Sequence, residues 1–88
     1  MKTFKKDPDG KLDYAWDWTD WLDGDTISTF DFILPADFTL EDSYEVGGVV
    51  TAWLSGGLEN KTYTVTCSIV TALGREDDRS AIFNLEER

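Results

Sequence analysis

Carboxylates are the most abundant chemically capable groups in this chain: eighteen Asp and Glu residues in 88. Many stand in the loops Asp7-Pro8-Asp9-Gly10, Asp23-Gly24-Asp25 and Glu76-Asp77-Asp78. Oxygen-rich loops can hold calcium, which takes roughly six to eight oxygen ligands. None of the three follows the spacing of an EF-hand loop, and Asp-Pro and Asp-Gly are also what tight turns demand. Asp7, Pro8 and Gly10 suit positions one, two and four of a type I turn. Turn chemistry is therefore the expected use of these aspartates, and neither a metal nor a cofactor is expected.

Catalysis finds little to work with. The chain has no histidine and a single cysteine, so a Cys/His pair is excluded, and no glycine-rich loop opens a helix. Two carboxylates can share acid–base work only in a cleft that raises one pKa, and a domain of this size has little room for one. An enzyme is not expected.

The elements that must position these groups read as strands. In Lys11–Trp18, Leu12, Tyr14, Trp16 and Trp18 alternate with Lys11, Asp13, Ala15 and Asp17, the period of a half-buried strand. Further alternating runs follow at residues 25–34, 38–46, 49–57, 62–73 and 81–85, separated by Asp-Gly, Pro35, Gly47-Gly48 and a charged Gly-Arg-Glu-Asp-Asp-Arg-Ser segment read as a hairpin turn. No run has convincing helical spacing. About seven short strands predict an all-β fold, an immunoglobulin-like antiparallel β-sandwich forming one domain over residues 1–88. Its inner faces are expected to hold Tyr14, Trp16, Trp18, Trp53, Tyr63, Val65, Cys67 and Ile69, helped by Phe30 and Phe32.

Composition narrows the partners. A formal charge of −10 leaves no Lys/Arg face for phosphates, so nucleic acid is not an expected partner, nor is an anionic membrane surface. No apolar run approaches the ~20 residues of a membrane helix. Cys67 lies in an alternating strand and is expected to be an inert core thiol.

Two resemblances add to this reading. Leu58, Thr62, Tyr63, Val65 and Cys67 resemble the later strands of immunoglobulin-like and fibronectin type III-like modules, although the Thr and Tyr are adjacent here. The resemblance implies that Tyr63 is a corner tyrosine bonding upstream backbone. The segments KDPDGKLDYAWDWTDWLDGDTIST and AWLSGGLENKTYTVTCSIVTALGREDDRS are similar to short proteins of tailed bacteriophages and prophages. That similarity implies a virion structural protein, made in the bacterial host cytoplasm.

The preferred role within a virion is capsid decoration, with the major capsid protein or other virion subunits as partners and a homo-oligomer open. Trp21, Leu22, Ile27 and Ile33 are the expected apolar anchors, with acidic residues as the rim. Trp21 is open between anchor and core cap; as an anchor, its truncation would weaken particle association and spare stability. Arg75 and Arg79 are expected to pair locally with Glu76, Asp77 and Asp78; alternatively Arg79 and Asp78 reach Asp17, Asp13 or Lys11 of the aromatic strand, or Arg75, Asp78 and Arg79 meet a partner. A neck or tail position, including glycan binding, is one alternative. An acidic inhibitor of a basic host protein is another.

Overall fold

The computed structural model describes residues 2–86. Seven strands run in chain order: β1 (Lys2–Lys6), β2 (Leu12–Asp17), β3 (Ile27–Ile33), β4 (Phe38–Val46), β5 (Val49–Gly56), β6 (Thr62–Thr71) and β7 (Glu76–Leu85). One helical turn, α1 (Thr19–Leu22), joins β2 to β3 and ends at Asp23, whose φ of 48° is left-handed. The strands form two sheets, β1-β7-β6-β3 and β2-β5-β4. This is the all-β sandwich expected, and its β7-β6-β3 and β2-β5-β4 sets follow the immunoglobulin strand order.

One pair departs from the antiparallel rule. β1 lies parallel to β7, with Lys2 opposite Ala81 and Lys6 opposite Leu85. Its sequence, KTFKK, carries a single apolar residue, so alternation alone does not reveal it. Phe4 is enough to seat it, meeting Tyr14 and Phe83 at ring separations of 5.0 and 5.1 Å.

The core is built from large rings, as a small domain requires. Tyr14, Trp16, Trp18, Phe38 and Phe83 are buried, packed with Val50, Leu54, Val65, Cys67, Ile69 and Leu85. Trp53 corrects the expectation. The alternation along β5 is as read, but Val50, Ala52 and Leu54 take the inner face, so Trp53 turns outward. Small, fully buried Ala52 lies opposite Tyr14 and leaves room for its ring, which explains the choice of face.

The segment read as a charged hairpin is also corrected. The turn lies at Ala72–Gly74, and Glu76–Ser80 form the first half of β7. Tyr63 does take the corner position: its hydroxyl accepts the Leu58 amide at 3.1 Å and donates to Asp37 Oδ2 at 2.7 Å. The Asp7–Gly10 turn closes through the Gly10 amide and the Asp7 carbonyl at 3.0 Å.

Burial pushes the Cys67 thiol from 9.0 up to about 11. Unfolded chain therefore ionises this group first, so its contribution to stability is complete below pH 9.0 and falls as pH rises toward about 11. The loss is expected to be on the order of 2 kcal/mol. Urea unfolding of wild type and Cys67→Ala on both sides of that window measures it. Burial-lowered Lys6 and burial-raised Tyr63 titrate in both proteins and cancel in the difference. Equal alkaline slopes in the two proteins would show that Cys67 is not the source.

Candidate interaction surface

The two outer faces of the sandwich differ in chemistry. On the four-stranded sheet the outward positions are mostly hydroxyls and amides. Thr66 Oγ1 lies 2.7 Å from Ser80 Oγ, and Thr62 Oγ1 donates to Asn84 Oδ1 at 3.0 Å. The face is largely polar, interrupted by Ile33, Val70 and Ile82.

The three-stranded sheet presents a different face. Its register places Asp17, Val49 and Val46 in one row, Ala15, Thr51 and Tyr44 in the next, and Asp13, Trp53 and Asp42 in the third. Val46 is 70% exposed and Tyr44 43%, while Trp53 is half-buried between its neighbours. Apolar and aromatic groups occupy the middle, and carboxylates stand at the margins. Gly47 and Gly48, with φ of 57° and 89°, supply the two-residue turn that brings Val46 opposite Val49.

The residues singled out in the sequence do not form one patch. Leu22 is 4% exposed and belongs to the core, so it is not an accessible anchor in this fold. Trp21 is half-buried, edge-on to Trp18 at 5.6 Å, with the Arg75 guanidinium over its ring at 3.9 Å. Arg75 also donates to the carbonyls of Trp21 and Leu22 at 2.8 and 3.1 Å. The guanidinium also reaches the Asp25 carboxylate, at 3.5 Å. Hydrogen bonding from the Thr71 hydroxyl, helped by backbone amides and Arg75, holds Asp25 below the usual carboxylate range.

Arg79, on the same side of the chain within β7, repeats this arrangement. Its guanidinium covers the Trp18 ring at 4.3 Å and donates to the Asp17 carbonyl at 2.7 Å. The expected reach toward the aromatic strand is made, but to backbone rather than to a carboxylate. Together Arg75 and Arg79 close the open side of the sandwich over two tryptophans. Ile27 packs against the core, Ile33 is 63% exposed on β3, and Asp78 is exposed on β7.

The aspartate loops serve the backbone. Asp7 Oδ1 accepts the Asp9 amide at 2.9 Å, and Asp17 Oδ1 accepts both the amide and hydroxyl of Thr19. Among the described residues no three metal-ligating side chains come together.

Sequence reading missed the outer face because Tyr44, Val46 and Trp53 come from two strands, and only the register makes them neighbours. The signal available was Trp53 itself, a large ring on a strand whose opposite face is also apolar.

Comparison with protein families matches residues 6–84 to the family described as "Podophage GP4 fiber-tail adaptor protein gp77". The chain belongs to this family. No curated protein matches it. As a member of a podophage adaptor family, the chain is a phage structural protein, a virion component made in the host cytoplasm. The family gives no support to capsid decoration in particular, or to the major capsid protein as the partner; a tail position is closer to its description.

Proposed function

We propose that this chain is a fibre–tail adaptor of a podophage particle, a non-enzymatic module that joins other virion subunits through buried contact area. The observation that carries this reading is the family match across residues 6–84. The outer face of β2-β5-β4 supports it, since an apolar centre with a charged margin is the anatomy of a protein interface. Asp13, Asp17 and Asp42 around Trp53, Tyr44 and Val49 suit a partner that brings lysines or arginines to the margin.

A labelled copy of the chain, located by electron microscopy on purified particles, tests the role. Label at the tail is expected; label spread over the shell would return the protein to capsid decoration. The face is tested by Val46→Asp and Tyr44→Asp. Both side chains are largely exposed, so unfolding stability should change by less than about 1 kcal/mol. Incorporation into particles should drop by about tenfold or more, because a charge placed in an interface centre is desolvated without a partner. Normal incorporation of both variants would remove this face from the assembly.

A further inference from the structure

An adaptor holds two partners, and the outer face accounts for one. Sheet edges are the other places where a sandwich offers itself to neighbouring chains, because their amides and carbonyls lack a ladder partner. Here β1, β3, β2 and β4 are edges, and β7 is uncovered from Glu76 to Ser80 because β1 reaches only to Ala81.

Three of these edges are blunted by the same device. The Thr71 amide bonds the Arg75 carbonyl and the Leu85 amide bonds the Lys61 carbonyl, which fixes the residues through which β6 and β7 bond each other. By alternation along an antiparallel ladder, the Asp78 and Phe32 amides point away from β6. Asp77 Oδ1 accepts the first at 2.9 Å and Asp31 Oδ1 the second at 2.8 Å. On β4 the Val46–Val49 turn directs the Ser43 amide outward, and Asp42 Oδ1 accepts it at 2.8 Å. The fourth edge, β1, carries exposed Lys2 and Lys5, another common deterrent to pairing.

The β2 edge lacks the aspartate device. The same alternation turns Leu12, Tyr14 and Trp16 toward β5 and leaves the amides of Asp13, Ala15 and Asp17 facing out. Among the described residues no carboxylate accepts any of the three amides; at the Asp17 end Arg79 already bonds the outward carbonyl, which leaves Asp13 and Ala15 as the groups open to a new strand. Beside this edge runs a groove of about 540 Å3, lined by apolar Phe4, Trp16 and Ala81 and by charges of both signs, Lys2 and Arg79 against Asp17 and Asp78.

We infer that the β2 edge receives an extended, lysine- or arginine-bearing segment of another virion chain, added as a fourth strand to β2-β5-β4. Charge selects the occupant. On its outer side the added strand would lie next to Asp13 and Asp17, which favours basic residues; on its inner side it would lie over Phe4 and Trp16, which favours apolar ones. Alternating basic and apolar residues would satisfy both. A second copy of this chain would bring a charge of −10 against −10 and is disfavoured. This inference rests on the adaptor reading for the existence of a second partner.

Cysteine labelling tests it in the assembled particle. Ala15→Cys places a thiol on the edge, Ser28→Cys one on β3, and buried Cys67 stays silent. Maleimide should label both introduced thiols in the free chain. In purified particles the position-15 thiol should react at least about tenfold more slowly, since only unbound chain is labelled, while position 28 stays reactive. A cross-linker attached at position 15 should capture a segment of another chain with the alternating basic pattern. Free labelling at position 15 in particles, or capture of β2 from a second copy, overturns the inference. As a second variant, Ala15→Pro removes only an outward amide, a substitution edge strands tolerate, and should fold yet fail to incorporate. Normal incorporation of that variant would also overturn the inference. An electron-microscopy label away from the tail counts against the adaptor role, from which the edge takes its second partner, whereas an unprotected position 15 on tail-located chain leaves the adaptor role standing and counts against the edge and against the outer-face row that Ala15 shares with Thr51 and Tyr44.

Discussion

Trp18→Ala should cost about 3–5 kcal/mol of unfolding free energy, the range of buried aromatic truncations. Trp18 is fully buried at the point where the two sheets, α1 and the arginine lids converge. Its loss removes a ring from the core, takes away the surface on which the Arg79 guanidinium lies, and deprives Trp21 of its edge contact. Each consequence has the same sign, so relaxation of the neighbours recovers little. Against a total of ~5–15 kcal/mol for a typical domain, the variant is expected to be partly unfolded at 37 °C. Urea titration with an unchanged slope and a lowered midpoint would register this as a stability effect. A loss below about 1 kcal/mol would mean that the arginine lids, rather than the ring, hold this side of the sandwich.

What the sequence revealed follows from how locally each feature is encoded. The aromatic strand was legible because Tyr14, Trp16 and Trp18 alternate with Asp13, Ala15 and Asp17 inside eight positions, and one strand decides their face. Tyr63 was legible because its hydroxyl bonds an amide only five residues upstream. Trp53 was not, since both faces of β5 are apolar and the choice depends on whether Ala52 or Thr51 meets the Tyr14 ring. β1 escaped because one phenylalanine among lysines suffices when a parallel partner already exists. Glu76–Ser80 resembled a turn because its inward positions, Asp77 and Arg79, are charged, which the open side beside β2 permits.

The candidate surfaces show the same division. Apolar residues near a turn, such as Trp21 and Leu22, looked available because their spacing broke the strand period. In the fold that break is a helical turn whose function is to bring Leu22 into the core and Trp21 under Arg75. Both the outer face and the β2 edge arise only from register, which no single stretch of sequence contains.

Lys6→Ala should cost about 2–4 kcal/mol, the second large effect. Lys6 is 1% exposed, and its ammonium donates to three carbonyls: Asp7 at 3.0 Å, Gly10 at 2.8 Å and Gly56 at 2.8 Å. Among the described residues no carboxylate bonds it, and burial lowers its pKa against the pull of Asp7 and Asp9. Truncation removes this donor from three carbonyls, of which Asp7's keeps the Gly10 amide, and leaves a gap beside the Phe38 ring, over which the ammonium lies at 5.8 Å. Lys6→Met retains most of the stem and loses only the bonds, so the difference between the two variants separates packing from hydrogen bonding. The consequence reaches the proposed docking edge. Lys6 ties the Asp7–Gly10 turn to the end of β5, and that turn delivers the chain into β2. Amide exchange across Leu12–Asp17 should therefore quicken in Lys6→Ala more than exchange across β6, which has a strand on each side. Uniform acceleration throughout the domain would instead show that Lys6 supports global stability without positioning the edge.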